Sequence, residues 1–174
     1  MASTRIRSLM TSALAALVLL VGAPHSSADH HEREAAANPL EPFGRLVGSE
    51  WHSGDNYHAL EWGLGKLSVV VKSYFMVDGK PKLVSEGMWY WHPVEKTIKG
   101  VATSVDMGVT LWDYTTSFEG NTMRSDLVTY APDGKVDQYV ETWEFTDENT
   151  YVWSLLTESD EGLKKILGST YTRK

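Results

Sequence analysis

The chain has 174 residues, no cysteine, and 23 acidic against 16 basic residues, which gives a net charge of −7. An acidic chain lacks the positive surface that nucleic acids and anionic membranes attract, so we expect neither as a partner. Without cysteine, an exported protein has no disulfides and depends on packing or on closure of a sheet. The seven Trp and eight Tyr are typical of β-strands, and they suit the lining of a cavity equally well.

The first 28 residues have the pattern of an export signal. Arg5 and Arg7 give a positive start, residues 9–21 form an apolar run too short to cross a bilayer, and residues 26–28 are small, as a cleavage site requires. Cleavage after Ala28 would leave 146 residues with 14 basic and 23 acidic ones, which is enough for one domain. We therefore expect a secreted or periplasmic protein with no membrane insertion after cleavage; an uncleaved anchor is the alternative.

Residues 29–39 are polar and rich in alanine, and we expect a flexible tail there. Cleavage after Ala28 would make Asp29-His30-His31 the new amino terminus. A free amine with His in third position binds Cu(II) or Ni(II) in square-planar geometry through the amine, two backbone amides and the imidazole. His30 and His31 are therefore a candidate metal site, and a solvated tail is the competing interpretation. We expect no other cofactor.

From Trp51 onward, strand-like runs alternate with turn signals. Most of the breaks carry Gly, Asn or Asp, which accept the positive φ of hairpin loops, and short loops make neighbouring strands pair antiparallel. The runs are 56–63, 66–76, 82–92, 96–105, 109–119, 122–131, 135–146, 150–158 and 168–173. We expect one helical turn within residues 159–167, and another within residues 40–48 that plugs one end of the fold.

These nine runs and a short strand at Trp51 predict an all-β protein. Ten strands are too many for an open flat sheet without a partner, and closure removes the exposed edges. The sequence thus predicts an antiparallel up-and-down β-barrel of about ten strands, formed by residues 40–174.

The hairpin around residues 131–135 fixes a register. Pro132 sets φ at the first loop position and Gly134 accepts positive φ, which predicts a three-residue loop with a bulge at Gly134. This loop pairs Met123 with Trp143, Ser125 with Glu141, and Leu127 with Tyr139 on one face. That face is mostly apolar and aromatic, yet it carries the carboxyl group of Glu141.

The same register, carried through the other turns, predicts the inner and outer faces of the remaining strands. The inner face is consistently apolar or small, and consists of Leu67, Val69, Val71, Ser73, Phe75, Leu83, Ser85, Gly87, Trp89, Trp91, Ile98, Gly100, Ala102, Ser104, Thr110, Trp112, Tyr114, Thr116, Phe118, Tyr151, Trp153 and Leu155. The outer face is charged, with Lys72, Glu86, Lys99, Asp113, Glu119, Arg124 and Asp126.

One strand, residues 56–63, has two interpretations. A two-residue loop at Leu64-Gly65 places His58, Leu60 and Trp62 inside, whereas a three-residue loop places Tyr57, Ala59 and Glu61 there. The first is favoured because it buries more apolar surface. A related detail is Asn149, which we expect in the left-handed region at its turn.

The inner face around Glu141 is the candidate site. Its polar groups are those of Glu141, Tyr139, Tyr114, Ser125 and Thr116, and its walls are Trp89, Trp91, Trp112, Trp143 and Trp153. Aromatic walls with a few polar groups describe a pocket for a small molecule, although a solidly packed barrel is the alternative. We expect burial to raise the pKa of Glu141, because no basic residue is predicted inside.

Two stretches resemble the lipocalin, or calycin, superfamily. They are Gly48-Ser49-Glu50-Trp51 at the entrance to the first strand and Tyr171-Thr172-Arg173 at the end of the last. In that superfamily a Gly-x-Trp element lies at the closed end of the barrel and a basic residue of the terminal strand packs over the Trp ring. Here one residue more separates Gly48 from Trp51. The resemblance implies a cation–π pair between Arg173 and Trp51.

The chain also resembles nitrobindin-type haem-binding barrels in length and strand number. Haem in those barrels needs an axial His, and no His follows His92 in this sequence. His92 faces outward in the predicted register, so we do not expect haem.

Two function classes follow from these observations. The first is a carrier or sensor that binds a small hydrophobic or aromatic molecule in the barrel lumen. The second is a cofactor-free isomerase or lyase with Glu141 as general acid or base, because related barrels host such chemistry. The carrier is favoured because the predicted site has a single carboxyl group and no second acid, base or metal. The oligomeric state remains open.

Overall fold

A computed structural model describes residues 37–174 and shows a closed antiparallel barrel. The ten strands of this part of the chain pair in sequence order, and β1 closes the barrel against β10. The predicted all-β up-and-down barrel is confirmed. The strands are β1 (Glu50–Ser53), β2 (Asn56–Trp62), β3 (Ser68–Val77), β4 (Lys80–His92), β5 (Thr97–Ser104), β6 (Leu111–Glu119), β7 (Thr122–Tyr130), β8 (Val136–Asp147), β9 (Thr150–Ser159) and β10 (Gly162–Arg173).

The predicted signal at residues 1–28 and the candidate metal site at His30 and His31 lie outside the described residues. The predicted tail is described only from Ala37, and Asn38 holds this part in place by donating from Nδ2 to the carbonyl of Lys66 at 3.3 Å. Within residues 37–174, no helix has the length and apolar character needed to cross a bilayer.

The β7–β8 hairpin has the predicted register. Met123 pairs with Trp143, and Ser125 pairs with Glu141. The amide of Ala131 donates to the carbonyl of Lys135 at 2.9 Å, and Gly134 has a φ of 86°. A residue with a Cβ would be strained at that φ, so Gly134 secures both the loop and the face of Glu141.

One end of the barrel is closed by the predicted helical turn, which is a 3₁₀ helix at Glu41–Arg45. Leu40, Phe43 and Leu46 are fully buried there and join the barrel core. The ring of Phe43 lies 5.3 Å from Trp89 and 5.0 Å from Phe118, measured between centroids. This short segment therefore plugs the lumen with apolar side chains.

The predicted contact between Trp51 and Arg173 is also confirmed. The two residues are paired across β1 and β10, and the guanidinium carbon of Arg173 lies 4.8 Å from the centroid of the Trp51 ring. The indole N–H of Trp51 donates to the carbonyl of Leu46 at 2.9 Å. Strand closure and the plug thus meet at one tryptophan, in an arrangement consistent with a lipocalin-like fold.

The helical turn predicted within residues 159–167 is wrong. β9 and β10 continue through this stretch and are joined by a tight turn at Asp160-Glu161. Gly162 adopts a φ of 102°, and a bulge between Lys165 and Leu167 absorbs the irregular spacing of apolar residues. Because the bulge breaks the strand-like alternation of apolar residues, the sequence pattern indicated a helical turn there.

Two residues predicted inside lie outside. Leu67 follows a second 3₁₀ helix, Leu64–Lys66, and is 74% exposed. Leu83 is 43% exposed because a bulge between β3 and β4 makes Val84 an additional residue, and Val84 is buried instead. The sequence marks the 3₁₀ helix only as the loop predicted at Leu64-Gly65, and the bulge at Val84 carries no Gly, Asn or Asp.

The favoured face of β2 is confirmed, although its predicted loop is not. His58 and Leu60 are buried and Trp62 packs against the core, but Trp62 pairs with Val69 because the 3₁₀ helix replaces the two-residue loop. Similarly, Asn149 does not have positive φ; a bulge between Phe145 and Asp147 keeps Tyr151 on the inner face.

Candidate functional site

The barrel encloses a cavity of about 340 Å³ above the plug, towards the opposite end. Its walls are mainly aromatic and come from strands around the whole barrel. The aromatic residues are Tyr57, Tyr74, Phe75, Trp89, Trp112, Tyr114, Trp143, Trp153 and Tyr171, and the polar ones include His58, Ser73, Ser85, Glu141 and Ser169. A concave, largely aromatic space with a few polar groups is what small-molecule sites have in common.

A larger concave region, about 790 Å³, lies on the outer face of the sheet. Its lining includes the exposed ion pair between Arg124 and Asp126 at 3.1 Å, and Lys99, which pairs with Glu95 at 2.9 Å. Exposed ion pairs of this kind are well solvated and offer little free energy to a ligand. The lumen cavity is therefore the stronger candidate for a binding site.

Glu141 lies inside the cavity, on β8, and is only 8% exposed. Its Oε1 accepts a hydrogen bond of 2.6 Å from the indole N–H of Trp153 on β9. Its Oε2 is buried and has no hydrogen-bond partner within residues 37–174. Glu141 thus presents one satisfied oxygen and one free acceptor.

Burial raises the pKa of Glu141 above its ordinary value, because the charged form loses water. The hydrogen bond from Trp153 opposes this rise. The indole of Trp143 also opposes it, although its N–H faces the carboxyl without forming a hydrogen bond of normal geometry. Glu141 can therefore act as donor or acceptor, depending on what enters the cavity.

His58 on β2 is the second titratable group of the cavity. It is buried, and its Nε2 is hydrogen-bonded to the hydroxyl of Tyr151. Burial lowers the pKa of His58 to about 3, so the imidazole is neutral at neutral pH. Its ring centroid lies 5.0 Å from that of Trp143 and 4.8 Å from that of Tyr171.

The structure brings six of the ten lumen residues predicted for the site to the cavity wall. These are Glu141, Tyr114, Trp89, Trp112, Trp143 and Trp153. The other four, Tyr139, Ser125, Thr116 and Trp91, are not part of the wall.

Each of those four residues has a different position. The hydroxyls of Ser125 and Thr116 bond to each other at 2.9 Å and are buried. Trp91 packs against the core, and Tyr139, paired with Leu127, is half-buried beside the outer concave region. The Ser125–Thr116 pair shows that inward polar residues of one barrel can satisfy each other instead of a ligand.

Sequence reasoning did not assign site roles to His58 or Tyr171. His58 was already favoured on the inner face, and its position opposite aromatic strands was the available signal. Tyr171 lies opposite Tyr151 in β10, two residues before Arg173. Because the resemblance singled out Arg173, the alternation of β10 would have placed Tyr171 inside as well.

Two indole N–H groups of the cavity wall are also without partners in the described part of the chain. They belong to Trp89 and Trp143, and both are buried. Buried polar groups are hydrogen-bonded in most proteins, so such a group calls for an explanation, and an absent ligand or water is one. Together with Glu141 Oε2, the cavity wall holds three unsatisfied polar atoms.

Within residues 37–174, no group of three or more His, Asp or Glu side chains is arranged to hold a metal ion. His92 lies at the closed end, where its Nδ1 accepts from the amide of Glu95 at 3.1 Å. His92 is not part of the cavity wall. Within residues 37–174, His58 is the only histidine that lines the cavity.

Comparison of the sequence with protein-family models gives no match, and comparison with curated proteins gives none either.

Proposed function

We propose that this protein is an exported, lipocalin-like carrier or sensor that binds a small hydrophobic or aromatic molecule in the barrel lumen. The observation that carries the proposal is the aromatic cavity with the free oxygen of Glu141 in its wall. Apolar walls supply most of the binding free energy, and one unsatisfied polar group fixes the orientation of the ligand.

The size of the cavity limits the ligand. An apolar cavity of about 150 Å³ accommodates benzene, and this one is about 340 Å³. The expected ligand therefore has one or two rings, or an aliphatic body of similar volume. Assignment to the calycin superfamily is part of the same proposal, and its support is the contact between Arg173 and Trp51.

The proposal can be tested with a substitution on β10 that places a large side chain in the cavity. Ser169 faces the cavity, whereas its neighbour Thr170 is exposed on the outer face. Native mass spectrometry of the purified protein should show a bound small molecule that is lost in Ser169→Trp and kept in Thr170→Trp. Absence of a bound molecule, together with equal responses of both variants to a panel of aromatic probes, would refute the proposal.

Export is a separate part of the proposal, supported by the residue pattern of the first 28 residues. Intact mass of material collected from the periplasm or medium of a bacterial host should correspond to a chain that begins at Asp29. A different terminus would remove the basis of the copper site at His30 and His31, and a full-length mass would contradict export by cleavage.

A cofactor-free isomerase or lyase is the second candidate function. The observation in its favour is that Glu141, with a raised pKa, shares the cavity wall with neutral His58. Two titratable groups tuned in opposite directions are a common feature of acid–base catalysis. Product formed from a candidate substrate, lost in Glu141→Gln while binding persists, would favour this function over the carrier.

A further inference from the structure

The charge of the cavity wall discriminates between classes of ligand. Within residues 37–174, Glu141 contributes the only carboxyl group to the cavity wall, and neither Lys nor Arg lines the cavity. His58 is buried and neutral beside Tyr151. Once ionised, Glu141 would have no counter-ion inside the barrel, and a buried carboxylate is stable only when it is paired.

The rings around Glu141 strengthen this preference for positive charge. Trp153 donates to the carboxyl group, and the rings of Trp143, Trp153 and Tyr171 line the same cavity. Tyr151 lies behind them, stacked between Trp143 and Tyr171, and does not line the cavity. Aromatic faces carry negative electrostatic potential and attract ammonium groups, most strongly where water is excluded.

Besides negative charge and aromatic rings, an ammonium group needs a hydrogen-bond acceptor, and the unpaired oxygen of Glu141 can provide one. Oε1 is occupied by the N–H of Trp153, while Oε2 is buried and has no hydrogen bond of normal geometry in the described chain, although the N–H of Trp143 faces the carboxyl group. We propose that the lumen ligand is an organic amine, whose primary or secondary ammonium donates to Glu141 Oε2 and whose apolar body fills the aromatic cavity. This inference rests on the proposed function and names the class of its ligand.

Other head groups fit the same wall less well. A carboxylate would face Glu141 with no cation between them, and the two charges would repel each other in a dry site. An alcohol would donate one hydrogen bond to Oε2, but it would gain neither the charge pairing nor the attraction of the rings. An ammonium group gains all three.

Ammonium binding also requires that Glu141 be ionised, so it is linked to loss of a proton. The other titratable groups that face this carboxyl are Tyr114 on β6, Tyr151 on β9 and Tyr171 on β10, with His58 on β2 in the same wall. The pKa values of the three tyrosines are raised by burial and then by Glu141 or a neighbouring tyrosine, and that of His58 is lowered to about 3. None of the four therefore changes charge between mildly acidic and neutral pH, whereas burial raises the pKa of Glu141 above its ordinary value.

Isothermal titration calorimetry with three probes of similar shape tests the inference. The probes are phenethylamine, 2-phenylethanol and 3-phenylpropionate, which differ in head group. We expect the amine to bind about tenfold or more tightly than the alcohol, and the carboxylate to bind most weakly. Glu141→Gln should weaken the amine by about tenfold or more and leave the alcohol within about threefold. Glu144→Gln, an exposed carboxyl on the same strand, should change neither.

A second measurement needs no variant, in case Glu141→Gln does not fold. The affinity of the wild-type protein for phenethylamine should rise between about pH 5 and about pH 8, while that for 2-phenylethanol should not. If the alcohol binds as tightly as the amine, the inference is wrong and the carrier function stands. If no probe binds, and Ser169→Trp does not displace a bound molecule either, the amine inference and the carrier function are both wrong.

Discussion

The two ends of the barrel are built from the same sheet but have different interiors. At the plugged end, Phe43, Leu46 and Trp51 are fully buried, and the indole N–H of Trp51 has its acceptor. Above the plug, the wall of the cavity leaves Glu141 Oε2 and two indole N–H groups unsatisfied. At the plugged end, only Arg173 Nε is buried without a partner in the described chain, whereas the cavity wall holds three such atoms, at a larger cost in stability.

The difference originates in what fills the lumen. At the plugged end, the 3₁₀ helix inserts side chains from outside the sheet, and Arg173 fastens them by donating to the carbonyls of Arg45 and Glu148 at 2.6 and 2.9 Å. Above it, no such segment of the described chain enters. The space is lined only by the strands themselves, so its volume depends on their side chains.

Two glycines of the predicted inner face, Gly87 and Gly100, do not line the cavity and have a different role from the one their small size suggests. A Cβ at Gly100 would lie 2.6 Å from Cδ1 of Trp89, and one at Gly87 would lie 2.5 Å from Cβ of Ala102. These glycines therefore do not leave empty space; they allow Trp89 and Ala102 to lie close to the neighbouring strand. The cavity remains elsewhere, between the aromatic rings.

The largest expected effect comes from removing the tryptophan where the plug and the closing strands meet. Trp51→Ala should lower the free energy of unfolding by about 3–5 kcal/mol, because it leaves a cavity in a fully packed region. Urea denaturation measures this change. The matched control is Phe75→Ala at the open end, where the ring is already 37% exposed; its cost should be below about 1 kcal/mol. Equal losses would mean that the two ends are packed alike.

The second prediction concerns His58, the buried imidazole of the cavity. Its pKa is lowered to about 3 from 6.5, so the unfolded chain takes up the proton first as the pH falls. The stability it contributes is therefore complete above about pH 6.5 and is lost towards about pH 3, with about 3 kcal/mol gone by about pH 4. Chemical denaturation at a series of pH values measures the slope.

Two variants show whether His58 is the source of that slope. His58→Gln cannot take up a proton, so most of the acid-induced loss should disappear. His92→Gln lies at the closed end, outside the cavity wall, and should keep the wild-type slope. An unchanged slope in His58→Gln would show that water reaches this imidazole.

The third prediction concerns the closing contact. Arg173→Ala should lower the free energy of unfolding by about 1–2 kcal/mol, because it removes the charge over the Trp51 ring and the hydrogen bonds to two carbonyls. Arg173→Lys should recover only part of this loss, since a single ammonium cannot reproduce the planar fork of donors. Full stability of Arg173→Ala in thermal denaturation would mean that β1 and β10 close without it.

Much of the fold could be predicted because hairpin loops and alternation specify it together. The Pro132–Gly134 loop fixes the inward face of Glu141, as predicted. The errors arose at bulges and at the 3₁₀ helix Leu64–Lys66. Val84 and the bulge before Leu167 shift the register without a Gly, Asn or Asp signal, so Leu83 and residues 159–167 were misassigned. A one-residue shift moves the side chains on one side of the bulge to the opposite face of the sheet. The error is therefore confined to that part of the strand.

The candidate site was predictable in part for a different reason. Alternation shows which side chains point inward, but it does not show how far along the barrel the plug extends. Ser125 and Thr116 face inward and still lie in the packed region, where they bond to each other. The height of each residue above the plug depends on strand tilt and on the bulges, neither of which the residue pattern specifies.

The last and smallest effect tests whether Glu141 costs the protein stability. Because burial raises its pKa, the folded state holds the proton more tightly than the unfolded state. The stabilisation by Glu141 is therefore present at acidic pH, below the ordinary pKa of Glu, and is lost as the pH rises through the raised value. Glu141→Gln stays neutral and can still accept from Trp153, so it should gain stability relative to wild type between about pH 4 and about pH 8, by about 1 kcal/mol or less. Parallel denaturation curves of Glu141→Gln and the exposed control Glu144→Gln measure the difference. If Glu141→Gln instead became less stable relative to wild type as the pH rises, ionised Glu141 would have hydrogen-bond partners that the unpaired Oε2 does not indicate.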